Sequence, residues 1–239
     1  MIDPATIRAL TFDVFGTVVD WRSGVIRDGE ALARAKGIQH VDWGAFAAAW
    51  RGRYLPAMQR VRTGERPWTT LDVLHRESLQ EVLAEFDVGG LADGEIDDLN
   101  RVWHRLDPWP DAVEGLTRLR RRYVLATLSN GNVALMVDMA KRAALPWDAI
   151  LGAEVVRHYK PDPETYLTTA AMLGASPEAC LMVAAHGGDL AAAGACGFRT
   201  AYVSRPDEYG PRPPRSGTKA RPWDVVASDF LDLADRLGC

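Results

Sequence analysis

Short apolar runs alternate with helical patterns along most of this 239-residue chain, and this alternation constrains the fold more than any other feature. The runs have the length of buried strands and occupy residues 7–15, 123–128, 149–151, 180–184, 200–203 and, more weakly, 225–227. The segments between the later runs repeat apolar residues at helical spacing. Strands that alternate with helices form parallel sheets covered on both faces. The sequence therefore predicts an α/β fold with a three-layer, Rossmann-like parallel sheet core.

One long stretch interrupts the alternation. Residues 23–106 contain several amphipathic helical patterns and no convincing strand. We therefore predict an α/β core formed by residues 1–20 and 108–239, with residues 21–107 inserted after the first strand as a helical cap. A cap in this place would cover the end of the sheet.

Composition and charge limit the partners. The net charge of −4 and the pI near 5.8 give no reason to expect binding to nucleic acid or to an anionic membrane. The first residues lack the features of a signal peptide, and no apolar segment is long enough for a membrane span. The 3 cysteines have no disulfide or metal-site spacing. We expect a cytoplasmic protein that acts on a small molecule.

Two segments near the C-terminus and two histidines of the insert have less specific interpretations. Residues 210–221 are rich in proline, glycine and basic side chains, which predicts a solvated loop. Residues 205–209 could line a site entrance, although the sequence alone does not show it. His75 and His104 lie in helical patterns and are expected at the surface or between helices.

Polar residues follow the predicted strands at the points where the strands end. In chain order they are Asp13 and Thr17, then Ser129 and Asn130, then Lys160, and finally His186 and Asp189. Ligands of open parallel sheets bind at the carboxyl ends of the strands. The sequence therefore predicts that these side chains converge on one site although they are far apart along the chain.

The segments around these residues resemble the four motifs of the haloacid dehalogenase superfamily. The matching segments are residues 12–20, 128–131, 159–162 and 182–189. Their order and spacing agree with that superfamily over most of the chain, and the insert lies where the superfamily places its cap. Four motifs in order are far more specific than a single one.

A metal-free site is expected, although most members of that superfamily are Mg²⁺-dependent phosphatases. Those members carry a second aspartate two residues after the nucleophile, where this chain has Phe15. Its fourth motif holds one carboxylate, Asp189, whereas Mg²⁺ prefers several oxygen ligands in octahedral geometry. Lys160 would also compete for the charge of Asp13 and Asp189. We therefore predict no metal and no cofactor.

The chain further resembles the type II group of that superfamily, the L-2-haloacid dehalogenases. This resemblance implies that Asp13 attacks the carbon of a 2-haloacid and that water then hydrolyses the ester on Asp13. It also implies that Arg51, in the segment Ala49-Trp50-Arg51, cradles the departing halide together with Asn130. Other positions that match residues supporting the nucleophile or the substrate carboxylate are Thr17, Ser129, Lys160 and Tyr166. Homodimers, as in that group, are compatible with apolar faces on a cap.

The fourth motif departs from well-known type II enzymes, which carry serine and asparagine there. This chain has Ala184, Ala185 and His186 instead. An imidazole with an ordinary pKa near 6.5 suits the positioning or deprotonation of water. His186 is therefore a candidate catalytic residue, and a structural loop histidine is the alternative.

Three other functions remain open on the sequence. They are a Mg²⁺-dependent phosphatase of the same superfamily, a related carbon-centre hydrolase that opens a strained small-ring amino acid, and a binding module that kept the fold without activity. The halogen, chain length and chirality of the substrate depend on the packing of the pocket, which the sequence does not give.

Overall fold

The computed structural model describes residues 2–210 and 223–239, and these contain eight strands. The strands are β1 (Ala9–Phe12), β2 (Val19–Asp20), β3 (Asp107–Pro108), β4 (Val124–Ser129), β5 (Ala149–Gly152), β6 (Cys180–Ala184), β7 (Arg199–Val203) and β8 (Val225–Ala227). Six form one sheet in the order β5-β4-β1-β6-β7-β8, and every neighbouring pair is parallel. Strand β1, which precedes Asp13, therefore lies inside the sheet.

The described residues also contain eleven α-helices. They are α1 (Trp21–Lys36), α2 (Trp43–Gly52), α3 (Tyr54–Arg62), α4 (Leu71–Glu85), α5 (Asp93–Asn100), α6 (Ala112–Leu119), α7 (Val133–Ala143), α8 (Ala153–Val156), α9 (Pro163–Met172), α10 (Gly187–Ala195) and α11 (Phe230–Arg236). None of these described helices is both long and apolar enough to cross a membrane. The loop predicted at residues 210–221 lies, beyond Gly210, outside the described residues.

Side chains of β1 alternate between two hydrophobic cores, one on each face of the sheet. Leu10 and Phe12 belong to the larger core, to which α6, α7 and α11 contribute Leu116, Met136 and Phe230. Ala9 faces the smaller core, to which α9 and α10 contribute Tyr166, Ala170 and Leu190. A strand buried on both faces requires such a continuous apolar run. The predicted three-layer α/β core with a parallel sheet is confirmed.

The helices α1 to α5 are inserted between β2 and β3, and residues 21–107 are called the cap segment below. The two short strands form an antiparallel ribbon, in which Val19 pairs with Pro108 and Asp20 with Asp107. This ribbon brings the two ends of the cap segment together. Asp20 also caps α1, since its carboxylate accepts a 3.0 Å hydrogen bond from the Ser23 N–H.

His104 connects the cap segment to α7. Its Nε2 lies 3.1 Å from the carboxylate of Asp72 on α4, and its Nδ1 lies 2.8 Å from Asp138 on α7. Asn132, just before α7, donates a 2.8 Å hydrogen bond to Asp72. Burial would lower the pKa of His104, but the two carboxylates outweigh burial and raise the pKa. His104 therefore joins α4 of the cap segment to α7 through two carboxylates that favour its protonated form.

We expect His104→Gln to destabilise the protein by about 1–2 kcal/mol near pH 6, because two charge-assisted hydrogen bonds are lost. The pKa of His104 is higher in the folded than in the unfolded chain. Its contribution is therefore complete below the unfolded value of about 6.5 and disappears as the pH rises through the folded value. Urea unfolding at pH 6 and pH 9 should show a smaller loss at pH 9. His40→Gln, at an exposed histidine, is the control, and an equal loss at both pH values would contradict the prediction.

Candidate active site

Asp13 lies in the loop directly after β1, at the carboxyl end of the sheet. Its N–H donates a 3.0 Å hydrogen bond to the Val183 carbonyl, which continues the pairing with β6 by one residue. The Thr17 hydroxyl donates to Asp13 Oδ2 at 2.8 Å and accepts from the Ala185 N–H at 2.9 Å. Thr17 therefore fixes the carboxylate relative to the loop that follows β6.

Lys160 joins two carboxylates that belong to different parts of the chain. Its Nζ lies 2.9 Å from Asp13 Oδ1 and 2.5 Å from Asp189 Oδ2. Tyr166, on α9, donates a 2.6 Å hydrogen bond to the other oxygen of Asp189. The Lys160 side chain is only 7% exposed, so water does little to weaken these ion pairs.

The ammonium of Lys160 lowers the pKa of both carboxylates, against the effect of burial. Burial alone would raise the pKa of Asp13, but Lys160 and His186 outweigh it and hold that pKa well below its usual range. Burial raises the pKa of Asp189, with the charge of Asp13 adding to the effect and Lys160 opposing it. Burial would lower the pKa of Lys160, and the two carboxylates raise it instead. Asp13 is therefore ionised at any ordinary pH.

Ser129 and Asn130 place polar groups at the end of β4, next to β1. The Asn130 side chain accepts a 2.8 Å hydrogen bond from the Lys160 N–H through its Oδ1, and it hydrogen-bonds to the Tyr54 hydroxyl. The Ser129 hydroxyl accepts a 3.1 Å hydrogen bond from the Gly131 N–H. Both side chains are buried, so they face the interior of the site rather than bulk water.

Arg51 reaches the site from α2 of the cap segment. Its guanidinium lies 4.0 Å above the ring of Tyr54 and 5.6 Å from the ring of Trp21. Tyr54 also hydrogen-bonds to Asn130, so the same tyrosine contacts both Arg51 and Asn130. The buried Nε of Arg51 has no hydrogen-bond partner among the described residues. A cation in this setting offers N–H donors to an incoming anion.

His186 bridges Asp13 and a second carboxylate, Glu208. Its Nδ1 lies 2.8 Å from Asp13 Oδ2, and its Nε2 lies 2.9 Å from Glu208 Oε2. Burial would lower the pKa of His186, but the two carboxylates raise it to about 10. The predicted candidate His186 thus contacts Asp13 directly, and Glu208 is a partner that the sequence analysis did not identify beyond the segment 205–209.

Phe15, two residues after Asp13, packs against aromatic side chains of the cap segment. Its ring meets Trp103 edge to face at 5.7 Å and lies 6.5 Å from the rings of Tyr54 and His75. His75 stacks on Trp103 at 4.3 Å and is 2% exposed. Burial lowers the pKa of His75 to about 3, so this imidazole remains neutral. The position that holds an acid in metal-dependent relatives therefore makes apolar contacts here.

These residues do not fit a divalent metal ion. Both Asp13 and Asp189 already bind the same ammonium group, Lys160, and Asp13 also bonds to His186. Among the described residues there is no cluster of three or more His, Cys, Asp or Glu side chains that could hold a metal. Mg²⁺ needs several oxygen ligands around one point. The arrangement holds instead an anionic carboxylate, Asp13, between Lys160 and His186.

The structure brings every predicted site residue to one end of the sheet. Direct hydrogen bonds link six of them: Asp13, Thr17, Lys160, Asp189, Tyr166 and His186. Asn130 bonds to the main chain of Lys160, and Ser129 precedes Asn130. Arg51 contacts Tyr54, which also bonds to Asn130. An α/β sheet with buried charged groups at its carboxyl edge and a helical insert above them defines an enzyme of the capped, Rossmann-like class.

Comparison with known proteins gives the family. The model of the haloacid dehalogenase-like hydrolases matches residues 7–197, and the chain belongs to that family of hydrolases. A defluorinating L-2-haloacid dehalogenase of known structure superposes with a TM-score of 0.93 at 46% identity, over 98% of this chain and 96% of that one. These similarities place the chain in the type II group, as its motifs predict.

Two further relatives extend the comparison. (S)-2-haloacid dehalogenase 4A from Burkholderia cepacia is 29% identical over 98% of this chain and 100% of its own length. The L-2-haloacid dehalogenase of Xanthobacter autotrophicus, in a structure with chloropropionic acid covalently bound, is 25% identical with a TM-score of 0.79, over 97% of this chain and 98% of that one.

Proposed function

We propose that this chain hydrolyses the carbon–halogen bond of small (S)-2-haloacids, without a metal, and releases halide and a 2-hydroxyacid. One observation carries the proposal: Asp13 is an ionised carboxylate held by Lys160 and His186. The presence of Phe15, where metal-dependent members of the superfamily carry a second acid, supports it. The three relatives above are all 2-haloacid dehalogenases, which supports this substrate class.

In the proposed first step, a carboxylate oxygen of Asp13 attacks C2 of the substrate from the side opposite the halogen. The new C–O bond forms as the carbon–halogen bond breaks, so the configuration at C2 inverts. Arg51 and Asn130 stabilise the negative charge that develops on the leaving halide. The covalent chloropropionic acid in the Xanthobacter relative supports such an intermediate.

In the proposed second step, water attacks the carboxyl carbon of the ester on Asp13. The water oxygen stays on Asp13, and the product leaves with the former carboxylate oxygen. His186 contacts one oxygen of the Asp13 carboxylate directly. Asp189 is oriented by Tyr166 and is linked to the other oxygen of Asp13 through Lys160. The complete cycle converts one haloacid and one water into a hydroxyacid, a halide and a proton.

The two hydroxyl groups of the site have different roles in this proposal. Thr17 already donates to Asp13 and accepts from the Ala185 N–H, so we assign it to the nucleophile. Ser129 accepts from the Gly131 N–H, which leaves its own hydroxyl hydrogen for the carboxylate of the substrate. This assignment places the substrate between the ends of β1 and β4.

A substrate panel tests the proposal. Purified protein is incubated with (S)- and (R)-2-chloropropionate, chloroacetate, bromoacetate and fluoroacetate, with and without EDTA, and halide is measured by ion chromatography. We expect release from the (S) acid, little from the (R) acid, and no effect of EDTA. Hydrolysis of a phosphate ester that EDTA abolishes would support the phosphatase alternative. Opening of 1-aminocyclopropane-1-carboxylate without halide release would support the other carbon-centre reaction.

Arg51→Met should lower kcat/KM for (S)-2-chloropropionate by about 10²–10³-fold, because the leaving halide loses its cationic donor. Arg51→Lys keeps the charge and should recover part of this loss. Steady-state halide release measures both effects. Arg53→Met is the matched control, since Arg53 pairs with Glu81 and Glu85 on the outside of the cap segment. Equal losses in the Arg51→Met and Arg53→Met variants would contradict the assignment of Arg51.

We also propose that the protein works in the cytoplasm as a homodimer. Exposed apolar side chains on the cap segment, Leu55 and Val73, support self-association. Light scattering after size exclusion at several concentrations tests the dimer, and a monomer at every concentration would contradict it. Fractionation of cells that express the protein tests its location.

A further inference from the structure

Glu208 is a buried carboxylate outside the predicted motifs, and it contacts His186 of the site. Its side chain is 4% exposed and contacts His186 Nε2 at 2.9 Å. The Trp21 indole N–H donates to Glu208 Oε1 at 3.1 Å, and the Tyr209 hydroxyl hydrogen-bonds to the same carboxylate. A buried charge needs such partners, because burial without them is costly.

The Glu208 carboxylate packs directly against the main chain of Gly16, three residues after Asp13. A Cβ atom at Gly16 would collide with the Glu208 carboxylate, and the φ angle of Gly16 is +84°, which favours glycine. Arg205 ties the Glu208 segment to the same loop, since its Nε donates to the Thr17 carbonyl at 2.8 Å. Its guanidinium also binds both oxygens of Asp111 at 2.8 Å. These contacts hold Glu208 against His186.

We propose that Glu208 is a positioning residue that makes His186 the base of the second step, and that His186 becomes a base only after the ester has formed. This inference rests on the proposed function. In the resting protein, His186 lies between the two carboxylates of Asp13 and Glu208, so a bridging imidazolium is favoured. An imidazolium cannot accept a proton from water, so the resting site holds a charged nucleophile and no free base.

Formation of the ester changes the charge around His186. Asp13 becomes neutral, and one of the two anions that stabilise the imidazolium disappears. Lys160, on the other oxygen of Asp13, remains cationic, which further favours release of a proton from His186. The His186 side chain is 28% exposed, so that proton can leave to water. Glu208 then accepts the remaining N–H at Nε2 and leaves Nδ1, on the Asp13 side, unprotonated.

The second step then proceeds with His186 as the base. The Nδ1 lone pair takes a proton from water while the water oxygen bonds to the carboxyl carbon of Asp13. The bond from that carbon to the substrate oxygen breaks, and the imidazolium returns its proton to the departing oxygen, which gives the 2-hydroxyacid. The new acid group of Asp13 ionises, and His186 binds a proton from solvent and again bridges two carboxylates.

Glu208→Gln tests the inference, because it keeps the shape of the side chain and removes its charge. We expect a near-normal burst of one halide per active site from (S)-2-chloropropionate, followed by turnover slowed about 10²-fold. Intact-protein mass spectrometry should show the ester accumulating. Asp207→Asn is the matched control, since Asp207 is the exposed neighbouring acid and removes the same charge from the segment. It should behave like the unmodified protein.

The pH dependence of ester decay in single turnover separates positioning from a merely structural role. Decay should speed up as the pH rises through the pKa of His186 in the ester form. This inflection should move to lower pH in Glu208→Gln, because the remaining anion is gone, and return towards the original position in Glu208→Asp. An unchanged decay profile, or a burst slowed as much as turnover, would overturn the role of Glu208. Absence of halide release from the unmodified protein would instead refute the proposed function.

Discussion

Asp13→Asn should lower halide release from (S)-2-chloropropionate by about 10⁴-fold or more. The amide has almost the same shape as the carboxylate, but it lacks the negative charge and the nucleophilic lone pairs that attack C2. Lys160 and His186 cannot replace it, because both act as donors towards Asp13 in the resting site. Ion chromatography of released halide gives the rate, and thermal unfolding followed by circular dichroism shows whether the variant folds.

A labelling experiment gives an independent check of the same step. In a single turnover in H₂¹⁸O, the label should enter Asp13 of the unmodified protein and be absent from the first hydroxyacid released. Mass spectrometry of the peptide that contains Asp13 locates the label. Asp97→Asn, at an exposed carboxylate of the cap segment, is the matched control and should leave turnover unchanged. Label found directly in the first product, or full activity of Asp13→Asn, would contradict a covalent role.

The core of the fold and most of the candidate site could be predicted because both are encoded locally. A strand buried on both faces needs a continuous apolar run, as in Cys180–Ala184, and the loops after such strands meet at one edge of the sheet. Asp13, Asn130 and Lys160 could therefore be placed together without knowledge of side-chain packing. The functional roles of these residues stay predictions.

Contacts that depend on packing could not be predicted. Glu208 lies in an irregular segment with no periodicity, and its distance from His186 depends on how residues 205–210 fold back over the nucleophile loop. Tyr54 lies on the apolar face of a predicted helix. Residues of the core and residues of a site both occur at such positions, so the pattern does not distinguish them. The ribbon of β2 and β3 has only two residues in each strand, too few for a recognisable alternation.

Lys160 supplies positive charge between the two carboxylates of the site. Its ammonium lies between Asp13 and Asp189 and keeps both buried carboxylates close together. Together with His186, this ammonium keeps Asp13 ionised, and unlike Mg²⁺ it leaves no open coordination site for a phosphate oxygen. This charge balance suits attack by Asp13 on an uncharged carbon centre.

Lys160→Met should therefore remove both activity and stability. Without the ammonium, the carboxylates of Asp13 and Asp189 repel each other, and one of them binds a proton. We expect halide release to fall about 10³-fold or more, and the free energy of unfolding at pH 8 to fall by about 3–5 kcal/mol, because an uncompensated charge stays buried. Halide assays and urea unfolding measure these changes.

The loss of stability caused by Lys160→Met should increase as the pH rises. In the unmodified protein the pKa of Asp13 is depressed, so its stabilisation is present above about pH 4 and is lost as the pH falls. In Lys160→Met the pKa of the carboxylate pair is raised, so stability is instead lost as the pH rises. The difference between the two proteins should be larger at pH 8 than at pH 5. Lys141→Met, at an exposed lysine of α7, should show no such difference. A Lys160→Met protein that releases halide normally would mean that Asp13 needs no positive partner, and the charge argument for this site would then be wrong.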